Sequence, residues 1–88
     1  MYTVEWGPGA LRDFERIGRR AQRYDVERIR RAIASLAEVP RPQGTVKMVG
    51  QENAFRIRVG DYRIIYNVED QEQRIVIVKV AHRATAYR

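Results

Sequence analysis

The dipeptide Gly60-Asp61 stands between two stretches in which apolar and polar residues alternate, Phe55 to Val59 and Tyr62 to Tyr66. Alternation is the period of a half-buried strand, and a two-residue glycine-containing break between two such runs signals a β-hairpin. A two-residue turn also fixes the register. Val59 then faces Tyr62, Ile57 faces Ile64 and Phe55 faces Tyr66, which gathers six apolar or aromatic side chains on one sheet face. The same register sets Arg58 opposite Arg63 on the other face, with Arg56 two residues along the strand. Like charges directly across a sheet destabilise it, by up to ~1 kcal/mol. The fold gains nothing from that pairing, and a bound anion is the simplest reason for it. A plain solvated face is the alternative, but it would interleave acids, whereas Glu52, Asp61, Glu69, Asp70 and Glu72 fall in the turns.

The rest of the chain supplies the scaffold. Tyr2, Val4 and Trp6 alternate with Thr3 and Glu5 and predict a first strand. Gly7-Pro8 opens a helix with proline at its first position, Leu11, Phe14 and Ile17 form its apolar stripe, and Gly18 is its natural stop. Asp25 is placed to cap a second helix, with Tyr24 and Ile29 as a hydrophobic staple. That helix buries Val26, Ile29, Ile33 and Leu36 and is expected to run until Pro40 ends it. Tyr24, Met48 and Trp6 are assigned to packing. After the Pro40-Arg41-Pro42-Gln43-Gly44 break the period changes to two, with strands expected at about 45–49, 54–59, 62–68 and 74–81. The reading is a single α+β domain, residues 1–88, in the order β-α-α-β-β-β-β. An antiparallel helical hairpin covers one face of a small, mainly antiparallel sheet. On the last strand Lys79 and Arg83 have the parity opposite to Val76, Val78 and Val80, so if those valines face the core, both cations join the arginines.

Composition narrows the function. The chain has 88 residues and carries a formal charge of +6, and of its 17 basic residues all but Lys47 and Lys79 are arginine. Guanidinium presents a planar fork of donors that matches phosphate and stacks on bases, which suits nucleic acid. For the arginines before residue 42, solvated helix faces in an arginine-rich chain account for them as well. The absence of cysteine excludes disulfides, thiolate metal sites and cysteine nucleophiles. The first residues lack the basic and apolar regions of a signal peptide, and no run reaches a membrane-spanning length, so a soluble cytoplasmic protein is expected.

Metal catalysis is disfavoured, because His82 is the one imidazole and no carboxylates are spaced to converge, and no metal site or cofactor is expected. Ser35, the one serine, sits mid-helix rather than in a nucleophile elbow, and no glycine-rich phosphate loop occurs. What remains is the nucleophile that RNA carries itself. A ribose 2′-OH can attack the adjacent phosphate in line, leaving a 2′,3′-cyclic phosphate and a 5′-OH. The protein must then hold the geometry, stabilise charge on phosphorus and move protons. Arginines suit the second task and suit the third badly, because guanidinium does not deprotonate at working pH.

The run Phe55-Arg56-Ile57-Arg58-Val59-Gly60-Asp61-Tyr62-Arg63-Ile64-Ile65-Tyr66, followed by Val80-Ala81-His82-Arg83 and Tyr87-Arg88, resembles the RelE/ParE toxin superfamily. The likeness extends over the strand–helix–helix lead-in and Lys47. It implies a type II toxin of the RelE branch, which enters the ribosomal A site and cuts mRNA without a metal, and which a cognate antitoxin neutralises. By that resemblance Arg56 and Arg58 bind and activate substrate and Arg63 stabilises the transition state. Arg83 binds phosphate and is a candidate proton donor, and Tyr87 stacks on a base or is a plain C-terminal anchor. Lys47, Lys79 and His82 complete the candidate substrate-binding set. Relatives with lysines where Arg56 and Arg58 stand have a candidate general base there; here the base is left to Tyr87, His82, Lys47, Glu52 or none. His82 is alternatively a structural residue at a strand end, and by alternation it points away from the arginines. Two other functions fit the same pattern in part: a ParE-like inhibitor of DNA gyrase without nuclease activity, and a basic RNA-binding module.

Overall fold

The computed structural model of the chain describes residues 1–84, so Tyr87 lies outside the described residues. The elements are β1 (Thr3–Trp6), α1 (Pro8–Gly18), α2 (Arg23–Ser35), β2 (Val46–Lys47), β3 (Ala54–Val59), β4 (Tyr62–Glu69) and β5 (Arg74–His82). They form the expected α+β arrangement. One five-stranded sheet runs in the order β1-β5-β4-β3-β2, and β1 lies parallel to β5 while every other pair is antiparallel. The helices cover one face, α1 chiefly against β5, while α2 contacts β3 and α1 to a similar, smaller extent.

The hairpin register is the one the turn predicts. Val59 pairs with Tyr62, Ile57 with Ile64, Phe55 with Tyr66, and Arg58 with Arg63. Gly60 has φ 59° while Asp61 stays at negative φ, the pattern of a II′ turn, which takes glycine at its first central position. The six paired apolar side chains are buried and meet Ile29, Ile33 and Leu36 of the second helical segment beneath them. Each such side chain contributes about 1.5–3 kcal/mol of burial relative to exposure. Tyr66 has no exposed surface, and its hydroxyl donates to the Pro40 carbonyl at 2.8 Å, so the deepest aromatic also ties down the proline loop. The loop is held again by Arg41, which donates to Asp70 at 2.7 Å, while the Tyr2 hydroxyl donates to the other Asp70 oxygen at 2.6 Å. These contacts hold the Asp70 carboxyl below its ordinary range, Arg41 first and Tyr2 second.

Several local expectations are corrected. Helix α2 starts at Arg23 with Gln22 as its N-cap, so Asp25 lies inside the first turn, where its charge favours the helix dipole but caps nothing. Tyr24 is no staple: it is 69% exposed, with the Arg28 guanidinium stacked 5.5 Å from its ring centre. The helix ends at Ser35, ahead of Pro40, because residues 36 to 38 tighten into i−3 bonds to Ile33, Ala34 and Ser35. That turn drops Leu36 into the core and hands the Ala37 carbonyl to the Tyr2 amide at 2.8 Å. Helix α1 does end at Gly18, as expected, though without a left-handed backbone there. Strand β2 is two residues long, not five, and both are exposed.

The valines of β5 also depart from the expected parity. Ile75, Ile77 and Val80 face the core, Val76 is half-buried on the other side and Val78 is 43% exposed. A bulge does this: Tyr66 pairs with Ile77 and Ile65 with Lys79, leaving Val78 as the extra residue. Val78 and Lys79 are consecutively exposed, and alternation restarts with Val80 inward.

Candidate anion-binding face

The sheet face without helices carries the candidate site. On β3 and β4 it is built from Arg56, Arg58, Arg63 and Ile65, each alternating with a core residue. Arg56, Arg58 and Arg63 line one shallow hollow of about 190 Å³ together with Gly44, Val46 and Ile57. Its lining includes three guanidinium-bearing side chains and no acidic residue. The Arg58 Nε donates to the Gly60 carbonyl at 2.9 Å, which holds that side chain against the turn. Val46 reaches the hollow because it pairs with Arg56 across β2 and β3. The connection that sets this register closes by a turn at Met48–Gln51, with the Gln51 amide donating to the Met48 carbonyl at 3.4 Å and Gly50 at φ 79°.

Other expected residues divide between this face and elsewhere. Lys79 pairs with Ile65 and so has the parity of Arg63; the bulge puts it there. It also borders a cleft of about 460 Å³ under α1, where β5 has run past the end of β1. Arg83 follows β5 at the turn: its amide donates to the Asp61 carbonyl at 2.7 Å and its Nε lies 3.7 Å from the Asp61 carboxylate. Both side chains are solvent-exposed, so this ion pair is weak. Lys47 pairs with Phe55, hence takes the helix-side parity, and it lines a separate hollow with Met48 and Glu52. His82 pairs with Tyr62, with the rings edge-to-face at 5.2 Å, and its Nδ1 accepts the Ala84 amide at 3.1 Å. It therefore closes the end of β5 on the helix side and lines the cleft there, away from the arginine hollow. Tyr62 beside it has its phenol pushed above the ordinary range by burial, with Asp25 and Asp61 adding to the effect.

The opposite end of the same sheet face is charge-balanced. Arg74 lies directly across from Glu69 and bonds it at 2.6 Å through Nε, with Glu5 at 3.8 Å from its Nη1. An arginine that serves only the fold is thus given acids, as at Arg74; Arg56 and Arg58 lie across from Ile65 and Arg63 instead. Among the described residues no three histidine, cysteine or acidic side chains come together as a metal-binding group, and no helix is long and apolar enough to cross a membrane.

The family model described as the ParE toxin of the type II toxin–antitoxin system parDE matches residues 4–87. The chain belongs to the RelE/ParE toxin family. This toxin is 32% identical over 87 residues to Toxin RelG of Mycobacterium tuberculosis, covering 99% of its own length and 97% of the relative. It is 29% identical to Toxin RelE of the same organism, over 99% and 87% of the two chains. Its fold is similar to that in the crystal structure of the RelBE2 toxin–antitoxin complex of M. tuberculosis, at a TM-score of 0.76 and 23% identity, with 92% of this toxin and 96% of that chain covered. It is likewise similar to the isolated E. coli RelE toxin, at a TM-score of 0.75 and 20% identity over 93% and 84%. At those identities the two structures speak for the fold.

Proposed function

We propose that this toxin is a ribosome-dependent, metal-independent endoribonuclease that cuts mRNA in the ribosomal A site by attack of a ribose 2′-OH on the scissile phosphate. The observation that supports the reading is the shared hollow lined by Arg56, Arg58 and Arg63, with Arg58 and Arg63 paired across the hairpin and no acidic residue among the lining. In it Arg63 stabilises the pentacovalent phosphorus, Arg58 and Arg56 bind and activate the substrate, and Lys79 and Arg83 extend the cationic track along the backbone. Tyr87, outside the described residues, stacks on a base. Lys47 and His82 are left to outer contacts with the RNA, since both stand on the helix side. A cognate antitoxin holds the toxin inactive in the cytoplasm; solved relatives include complexes with antitoxins from M. tuberculosis and E. coli.

The test is translation of a defined mRNA on purified ribosomes with the toxin added and 5′ ends mapped. Discrete new 5′-OH ends are expected. Arg63→Ala should lower cleavage by roughly 10²–10³-fold, the loss seen when one oxyanion donor is removed. Its affinity for the antitoxin should fall far less, and equal losses in both assays would show that Arg63 only supports the fold. The match to a ParE model favours one second reading, inhibition of DNA gyrase by binding. Intact message together with stalled gyrase on supercoiled DNA would select it.

A further inference from the structure

The cation Lys79 is on the arginine side only because β5 carries a bulge, and the place of that bulge coincides with a contact from α1. The Asp13 Oδ2 accepts the backbone N–H of Val80 at 3.1 Å, and its Oδ1 accepts from Arg16 at 3.1 Å. The Asp13 side chain retains 17% exposure, so the bond is sheltered from competing water. The Val80 amide lies where the pairing of β1 with β5 has stopped at Ile77, and Gly7 closes that pairing by donating to the Ile77 carbonyl at 2.9 Å. The next outward amide of β5 thus takes a side-chain carboxylate in place of a strand. Continued alternation from Ile77 would turn Lys79 into the core, at a desolvation cost no fold of this size tolerates. A bulge near this point is therefore dictated by the sequence Ile77-Val78-Lys79-Val80, and what the sequence leaves open is its position.

We propose that Asp13 is a positioning residue for the cationic face: by holding the Val80 amide it fixes the bulge at Val78 and aims Lys79 along the track of Arg63. Asp13 touches no substrate. The proposal rests on the nucleic-acid reading of that face, and the experiment separates the two. The probe is a 2′-O-methyl single-stranded RNA, which binds without being cut, titrated over a range of salt against wild type, Lys79→Ala, Asp13→Ala, Asp13→Asn, the Lys79→Ala/Asp13→Ala double variant and Arg63→Ala. Losing one phosphate contact lowers the slope of log affinity against log salt by ~0.7 for a single strand. Lys79→Ala and Asp13→Ala should each show that drop, the double variant no more than either, and Asp13→Asn, which keeps an acceptor oxygen, should restore the wild-type slope. A cross-strand nuclear Overhauser contact between Lys79 and Ile65 should weaken in Asp13→Ala while thermal melting still shows a folded chain. A wild-type slope in Asp13→Ala, or additive losses in the double variant, overturns the positioning role. If Arg63→Ala also binds like wild type, the nucleic-acid reading falls with it; if Arg63→Ala is weakened and Asp13→Ala is not, only the positioning role is lost.

Discussion

Substituting Gly60 by alanine tests the turn that assembles the arginine hollow. Gly60 has φ 59°, and an L-residue there costs ~1–2 kcal/mol through contact of its Cβ with the backbone. A second contribution is local. The new Cβ would lie 2.9 Å from Arg28 Nη1, too close for that nitrogen to stay, while Cζ at 3.5 Å is in ordinary contact. That group is the far end of a flexible side chain, so it can withdraw, giving up its stack on the exposed Tyr24 ring, ~0.5–1 kcal/mol. Alanine also restricts the unfolded chain, which offsets ~0.4–1 kcal/mol. The net expectation is a loss of about 1 kcal/mol, hence a Tm lower by ~4–8 °C for a domain of this length. Urea unfolding of wild type, Gly60→Ala, Arg28→Ala and the double variant forms a cycle that separates the two contributions. If backbone conformation dominates, the coupling between the two positions stays within ~0.5 kcal/mol. Gly60→Ala as stable as wild type would refute the positive-φ argument, and a coupling above ~1 kcal/mol would assign the loss to Arg28 instead.

Tyr66→Phe removes the hydroxyl that holds the Pro40 carbonyl and should cost about 1–1.5 kcal/mol in denaturant unfolding, with the proline loop exchanging amide hydrogens faster. Asp70 has a carboxyl pKa held down in the folded state, chiefly by Arg41 and then by Tyr2, so its contribution is present above the unfolded value of ~3.9 and lost as pH falls through the lower folded one. The Tm difference between wild type and Asp70→Asn should accordingly be present near neutrality and vanish in acid below that folded pKa; a difference that grows on acidification would reverse the assignment. Chelators should leave mRNA cleavage intact provided the ribosomes are kept assembled, and a strict metal requirement of the toxin itself would rule out the proposed chemistry.

The hairpin and its charged face were legible because Gly60-Asp61 leaves only one pairing that puts Phe55, Ile57, Val59, Tyr62, Ile64 and Tyr66 on a common side. Where the sequence offers no such contrast, reading it fails for a physical reason. Residues 75 to 78 are all aliphatic, so nothing in their pattern announces which of them face inward or that Val78 is the extra residue. The end of α2 was hidden because Leu36 and Val39 continue the apolar spacing, whereas the chain leaves the helix after Ser35 so that the Ala37 carbonyl can receive β1. Lys47 was grouped with the arginines by resemblance, and its pairing with Phe55 gives it the other parity. Asp13 carried no signal at all, because its partner is a backbone amide 67 residues away.

A sheet can carry the Arg58–Arg63 opposition because its two faces are unequal in energy. A one-residue slip of β3 against β4 would send Arg56 and Arg58 toward the helices and Phe55, Ile57 and Val59 into water, and each buried charge without a partner costs several kcal/mol. Against that, the repulsion of one exposed cross-strand pair is at most ~1 kcal/mol and is screened by salt. The core side therefore fixes the register so firmly that the open side is released from any duty to the fold. Only there can like charges be brought together and kept together. The acids obey the same logic: Glu69 is placed opposite Arg74, where it bonds its partner, and Asp61 sits in the turn 3.7 Å from Arg83, an exposed contact that contributes little to the fold.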